Sequence, residues 1–513
     1  MARSQGKKQT WFESTWVSTT YFAEGLPYMI IRALSAYYFT RIGLREAVIG
    51  AANLYGLGWN LKFLWAPFID IFGSRRGWLI KLQGILVVGF LLISLLSLFG
   101  PPVQQTGPDG EVVMVESPLK ASVKGRVLAL VGKEEVDPVT VTWAIAILFF
   151  VLALVAATHD IAIDGFYLEA LPDKERQAGY SGFRTSAWRV AIPFARSFLV
   201  WIAAVSFWSL SFLVGALTLL GCFLFHYYFL PRPASDTGKE IKGTRDFFRT
   251  LVRAFVVYTR QRRVWIIIPF IILYKLPDEI MFSMNTTFLI RELRMSDAQY
   301  AYLFTWFGFA ANVIGAIWAG KMIKRHDLFR VIWPLTLVMY LSNVLYVFLA
   351  WFRPTADAGT VPLAIITAVA TYEQLAAALG FPILMVFIMR TCFPEFKASH
   401  FAIGTAIMSL GGTLVGATGG AIVEAGAALQ TGVASAYPAL EGFCRPLVAA
   451  FAWMMNTVGF GAVTYAEDSK ALGYVALYLV SVLAIIPGLA LIPFIPYKRK
   501  EEQITERGKA PTS

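Results

Sequence analysis

Charge is what this sequence is short of. Only 15% of its 513 residues are Asp, Glu, Lys or Arg, against about 25% in an average soluble domain. Cysteine is scarcer still: Cys222, Cys392 and Cys444 are the only three, too few and too far apart for a disulfide framework or a zinc spacing, so no metal is expected. No Gly-x-x-x-x-Gly-Lys-Ser/Thr loop occurs, which argues against a motor driven by ATP. A lipid-linked glycosyltransferase would need an acidic metal site on a loop, but Asp70 is solitary and "PDKE" carries a lysine. The polar N-terminus runs into a full apolar stretch without a small-residue cleavage site, so no cleaved signal peptide is expected.

Apolar residues fill the space that charge leaves, at 57% of the chain with 15% aromatic. Runs of about 20 apolar residues recur from end to end, each long enough to cross about 30 Å of hydrocarbon. The expected fold is an all-α polytopic membrane protein with twelve spans, near 16–40, 47–67, 78–99, 141–163, 179–205, 208–230, 264–290, 299–320, 331–351, 361–389, 400–424 and 472–495. The net charge of +12 invites a nucleic-acid partner, yet the positives gather between alternate apolar runs, as cytoplasmic loops do. The partner read from that pattern is the lipid bilayer, with both termini inside. "FFRTLVRAFVVYTRQRR" in the central loop has the pattern of an amphipathic helix lying on the inner leaflet.

The chain reads as two halves. "LPYMIIRALSAYYFTRIGLREAVIG" aligns with "LPDEIMFSMNTTFLIRELRMSDAQY", with fourteen residues separating Pro27 from Arg41 and Pro277 from Arg291. Leu44-Arg45-Glu46-Ala47 then matches Met295-Ser296-Asp297-Ala298 after one insertion, and "LPDKERQAGYSG" matches "FPEFKASHFAIG". A six-span unit repeated in parallel, with a substrate site between the halves at mid-membrane, is the major facilitator architecture. "FIDIFGSRRGW" resembles that superfamily's inner-loop motif, through Asp70, Gly73, Arg75 and Arg76. The expected division is a first half at 1–230, a linker at 231–263, a second half at 264–497 and a tail at 498–513. Outer insertions fall at 101–140, with room for a small hairpin, and at 425–470, where 446–465 is expected to lie on or dip into the outer face.

Ionisable residues at membrane depth are costly, so each is a functional candidate. Span 1 carries Glu24 and Arg32, eight residues apart, and span 2 carries Lys62, near enough to the inner end to snorkel. Span 4 ends in "THDIAIDGFYLEAL", whose Asp160 and Asp164 share one face. They could carry protons, gate against arginines of span 5, or cap the helix; His159 beside them reads as a packing residue. Span 5 carries Arg184, Arg189 and Arg196, a basic set suited to a carboxylate or phosphate. In span 7, Pro277 is expected to kink or unwind the helix beside Lys275, Asp278 and Glu279, with Asn285 two turns on. Glu373 and Gln374 lie in span 10. Tyr28, Trp188, Trp306 and Tyr372 are candidates to stack on a sugar, or are simply core.

Six stretches in order resemble the AmpG muropeptide permeases: "YFAEGLPYMIIRALSAYYFTRIGLREAVIG", "LKFLWAPFID", "THDIAIDGFYLEALPDKERQAGY", "LYKLPDEIMFSMNTTFLIRELRMS", "YEQLAAALG…ASHFAIGTAI" and "GGAIVEAG". The resemblance implies a monomeric, cofactor-free transporter of the bacterial inner membrane. It would import anhydro-muropeptides for cell-wall recycling by proton-driven alternating access. By position it assigns the carboxylate pair to Asp160 and Asp164, a Leu-Tyr-Lys-Leu-x-Asp element to Leu273–Asp278, the span 10 acid to Glu373 and the span 5 arginine most nearly to Arg189. Proton coupling or gating is thus expected from Asp160, Asp164, Asp278, Glu373 and Glu24. Substrate binding is expected from Arg32, Arg184, Arg189, Arg196, Lys275, Asn285 and Gln374. The chain departs from the family at Gly165-Phe166-Tyr167, where an alanine-tryptophan-lysine stretch is usual, and in its larger outer insertions. Related acetyl-coenzyme A transporters share the broader pattern, so another polyanion is the alternative substrate.

Overall fold

A computed structural model describes residues 11–495, except 67–68, 70–72, 107–111, 132–135, 172–173, 234–243, 327, 394–396, 433–434, 461–464 and 466–468. Asp70 therefore lies outside the described residues. Among those described, nine helices are long and apolar enough to cross a membrane, from Arg75–Leu98 to Ala471–Phe494. They coincide with spans 3–6 and 8–12 of the sequence reading.

Residues 11–41, 46–66 and 264–292 form three further helical rods, where spans 1, 2 and 7 are expected, and all three are irregular. The first passes from α-helix at Trp11–Met29 through a π turn at Ile30–Leu34 to Ser35–Arg41. The second is interrupted by 3-10 turns at Ala52–Gly56 and Lys62–Leu64. Non-helical backbone at membrane depth is tolerated where it is enclosed by protein or lines a polar cavity, and these rods occupy the centre of the molecule.

Span 7 differs from expectation in a specific way. The helix Val264–Ser283 runs on through Pro277, and the break comes at Met284 (φ −124°, ψ 7°). Pro277 removes the helix bond to the Leu273 carbonyl, and neighbouring helices pack closely against this turn. The Tyr340 hydroxyl donates to the Tyr274 carbonyl at 2.7 Å, and Gly488 packs so closely on Leu273 that a Cβ there would sit 3.0 Å from its carbonyl oxygen.

The described helices pack as two pseudo-symmetric sets. Span 1 lies on 5 and 6, and span 3 on 4 and 6; likewise span 7 lies on 11 and 12, and span 9 on 10 and 12. Span 2 packs on 4 as span 8 packs on 10. The contacts between halves obey the same rotation, with 2 against 11 matched by 5 against 8. At one end, hereafter the insertion end, the 101–140 segment forms an antiparallel hairpin (Val103–Thr106 with Val112–Val115). A helix that the sequence reading lacks, Pro118–Val131, follows it. Burial pushes the Lys120 ammonium below its ordinary range; it donates to the Gly100 and Pro101 carbonyls at 2.7 and 3.1 Å, tying this helix down. In the second insertion, Pro438–Thr457 is a helix, with Cys444, Val448 and Met455 turned inward. At the opposite, linker end, the helix Thr244–Thr259 has Val252 and Phe255 exposed while Tyr258 is buried against His400.

Candidate functional site

A cavity of ≈ 400 Å³ lies between the halves, with walls from spans 1, 2, 4, 5, 7 and 11. Spans 4 and 5 contribute the expected charges and span 2 answers them. Lys62 Nζ sits 2.5 Å from Asp160; it pairs with this acid rather than snorkelling. Arg184 is 2.9 Å from Asp164, which also accepts the Tyr21 hydroxyl at 2.8 Å. The side chains of Arg184 and Asp164 are 40% and 39% exposed, so this pair stands at the cavity mouth, toward the linker end. Arg184 lies over the Tyr21 ring at 4.5 Å and near Tyr167 at 5.7 Å, in cation–π geometry.

The departure at Gly165-Phe166-Tyr167 has a packing reason. A Cβ at Gly165 would stand 2.9 Å from Arg75 Cδ, so glycine lets that arginine pass toward Glu169, 3.9 Å away. Phe166 packs edge-on to Trp16 and Tyr167 edge-on to Tyr21. Within the inner-loop motif, Gly73 takes a left-handed φ of 86°. Arg76 donates to the carbonyls of Tyr227 and Leu230 at 2.8 and 3.2 Å, capping the end of span 6.

The second half places its ionisable residues differently. Lys275 lies 3.2 Å from Asp278 and 3.9 Å from Glu279, and only Glu279 reaches the cavity wall. Asp278 also accepts from Asn343. Glu373 is fully buried among neutral donors, with Gln374 Nε2 at 2.9 Å and Asn285 Nδ2 at 3.5 Å. Arg196 donates to the Tyr300 hydroxyl at 3.0 Å and lies 3.9 Å from the Phe304 ring centroid, across the contact of spans 5 and 8. Arg189 is not among the lining residues, because the span 5 face toward the cavity is the Arg184–Trp188 face. His159 is buried, and neither ring nitrogen has a hydrogen-bond partner among the described residues.

Sequence reasoning missed a set of ion pairs that joins the halves at the insertion end. Arg41 pairs with Asp297, which the Tyr37 hydroxyl also meets. Arg291 pairs with Glu46 at 2.9 Å and donates to the carbonyls of Thr40 and Leu44 at 2.6 and 2.9 Å. Lys470 joins Glu46 from the start of span 12, and Glu424 accepts from Arg45 and from the Ala47 N–H. Arg41 and Arg291 are equivalent positions of the repeat, as are Glu46 and Asp297. The two bridges are therefore one contact made twice, with the arginine of each half on the acid of the other. The alignment of the repeats already held this signal. Gly420 lets the halves close: a Cβ there would fall 1.7 Å from the Glu46 carbonyl oxygen. Asn60 adds a crosspiece, donating to Thr413 Oγ1 at 2.7 Å.

Two pseudo-symmetric helical sets around a charged central cavity define a multi-pass membrane transporter. The Major Facilitator Superfamily profile matches residues 17–420, and the chain belongs to that family. Among curated proteins it is similar to the anhydromuropeptide permease of Escherichia coli (strain K12), 26% identical over 414 residues that cover 79% of this chain and 73% of that one. It is also similar to the putative transporter AmpG 4 of Rickettsia conorii, 22% identical over 396 residues covering 75% and 84%. Among solved structures it resembles the D-xylose-proton symporter, with a TM-score of 0.58 at 11% identity over 94% of this chain and 98% of that one. The nucleoside transporter NupG matches at 0.56 and 11%, covering 94% and 99%.

Proposed function

We propose that this protein imports anhydro-muropeptides across a bacterial inner membrane, driven by an inward proton gradient through alternating access, without a cofactor and as a monomer. The observation that carries the reading is the match to an anhydromuropeptide permease over 79% of the chain, joined to a cavity that mixes charges of both signs with aromatic rings. The linker end, with both termini, faces the cytoplasm, in keeping with its basic loops. The cavity therefore opens inward, and the reciprocal bridges are the closed outer gate. Asp160 and Asp164, held by Lys62 and Arg184, act in the inner gate; Lys275 and Asp278 brace span 7. The proton is carried on Glu373: an ionised carboxylate is among the costliest groups to bury, its partners within hydrogen-bond reach are neutral amides, and the cations Arg196 and Lys275 act on it only through space.

The polyanion alternative, a coenzyme A ester, fits less well. Three cations line the cavity (Arg32, Lys62, Arg184), and four carboxylates oppose them (Glu24, Asp160, Asp164, Glu279). Uptake of labelled anhydro-muropeptide into proteoliposomes, with and without an inward proton gradient, tests the reading. Gradient-dependent accumulation is expected. Accumulation of a coenzyme A ester with none of the muropeptide would overturn it.

A further inference from the structure

Most charges of the cavity are already matched within the protein. Lys62 is taken by Asp160 and Arg184 by Asp164, while Glu279 shares Lys275 with Asp278. Two groups of span 1 make no ion pair among the described residues, although Glu24 also lies within the field of Lys62 and Arg184. Glu24 hydrogen-bonds to no described residue, and its Oε2 is enclosed without a partner. Arg32 has a main-chain oxygen as its hydrogen-bond acceptor, the Asn53 carbonyl at 2.5 Å. Neither can answer the other directly, because eight residues of helix separate them by about 12 Å.

Midway stands Tyr28, so carboxylate, ring and guanidinium follow at four-residue steps along the side of span 1 that lines the cavity. Tyr28 is not alone. Trp59 meets it edge-on at 4.9 Å and Trp188 lies tilted to it at 5.7 Å, making an aromatic corner around Tyr28. A cleft with an aromatic floor and a few converging polar groups is the usual form of a small-molecule site.

We infer that Glu24, Tyr28 and Arg32 form a receptor for a zwitterionic ligand. Glu24 takes an ammonium, Arg32 grips a carboxylate with its two-pronged fork, and Tyr28, Trp59 and Trp188 hold a ring-bearing middle. This inference rests on the cavity being the substrate site and goes further: the cargo must carry both charges, spaced by roughly the length between Glu24 and Arg32. It gives Glu24 a ligand-binding role in place of the proton-coupling role suggested by its being a membrane carboxylate.

The test is calorimetric titration of the purified full-length protein with four probes: an anhydro-disaccharide tripeptide with a free side-chain ammonium, the same compound N-acetylated at that amine, the same compound with its terminal carboxylate amidated, and the zwitterionic tripeptide alone. Loss of either charge is expected to weaken binding on the order of 10- to 100-fold, the range of a charge-assisted hydrogen bond. Glu24→Gln should bind the acetylated and free-amine compounds alike, and Arg32→Gln the amidated and free-acid ones alike. Each variant's normal affinity for the analogue lacking its partner charge certifies its fold, and Arg32→Lys, with a charge but no fork, should fall between. Equal binding of all sugar-bearing probes by the native protein, or discrimination that survives in both variants, overturns the receptor and leaves muropeptide transport standing. Binding of the tripeptide alone, sensitive to Glu24 and Arg32, with none of the sugar compounds overturns the muropeptide reading and keeps the receptor. Binding of no zwitterion overturns the receptor.

Discussion

Replacing Arg291 by glutamine should open the outer gate. Its side chain is 17% exposed and that of Glu46 only 3%. The substitution removes an ion pair and two charge-assisted hydrogen bonds to the Thr40 and Leu44 carbonyls. Breaking one partner of a buried pair costs about 3–5 kcal/mol. Lys470 still covers Glu46 and glutamine recovers one carbonyl bond, so a loss near 3 kcal/mol from the closed state alone is the reasonable figure, or on the order of 100-fold in the closed-to-open ratio. A gate closed 99% of the time would then stand open about half of it. The assay is labelling of Ser409→Cys, a cavity position, in a background without the three native cysteines. A membrane-impermeant maleimide is added to right-side-out vesicles. Labelling should accelerate by more than tenfold in Arg291→Gln. The two bridges should also answer differently to charge exchange. Arg41→Asp with Asp297→Arg should restore slow labelling, whereas Arg291→Glu with Glu46→Arg should not, because Lys470 would then face a cation. An unchanged rate in Arg291→Gln, or rescue of both exchanges alike, would sink the assignment of these bridges as the gate.

Gly420→Ala should have the same effect by a steric route, raising Ser409→Cys labelling and abolishing net uptake, since a Cβ there meets the Glu46 main chain. Glu373→Gln should lose accumulation against a gradient but keep counterflow exchange; full accumulation would remove Glu373 from coupling. Asp164→Asn frees Arg184 at the cavity mouth and should abolish uptake driven by a pH gradient while leaving the protein folded; native uptake would remove Asp164 from the mechanism. Asp137 caps span 4 by accepting from the Thr140 hydroxyl and from the Thr140 and Val139 amides, which hold its carboxyl below the usual range. Its contribution is therefore present above the ordinary carboxylate range and lost as pH falls below it. Hydrogen exchange at the amides of residues 139–141 should quicken at acid pH, and Asp137→Ala should show the quickened rate at neutral pH.

Much of the fold is legible in the sequence because it is written in length and polarity. A run such as "VTWAIAILFFVLALVAA" has few ways to exist other than as a span, and the repeat around Pro27 and Pro277 announces two halves. Charges inside those runs stand out for the same reason, which is how Glu24, Arg32, Asp160, Asp164 and Arg184 are found, all of them on the cavity wall. Pairing is less legible. A sequence of spans does not say which helix faces span 4, so Lys62 reads as a snorkelling lysine until span 2 is seen beside Asp160. Nor does it say which side of span 5 faces inward: Arg184 and Trp188 line the cavity, and Arg189 is not among the lining residues. The helix runs on through Pro277 and breaks at Met284 instead, in a turn packed against Tyr340 and Gly488, which are distant in sequence. The residues of the two reciprocal bridges hide for a different reason. Arg41, Glu46, Arg291 and Asp297 sit at span ends, where charge is ordinary and draws no notice.

The reciprocal bridges also bear on ancestry. If the six-span unit once stood alone, two copies meeting about a two-fold axis along the membrane normal would make the same contact twice, as any self-complementary dimer interface does. Arg41–Asp297 and Arg291–Glu46 would then have been a single arginine–acid pair, encoded once. Fusion into one chain released the two copies from identity, and each has since taken its own third member, Tyr37 beside Asp297 and Lys470 beside Glu46. A change on one side of the Arg41–Asp297 bridge therefore calls for its match in the opposite half, and a change at Arg291–Glu46 must also suit Lys470. Neither half can be exchanged with that of a distant cousin unless both ends of the pairs travel together.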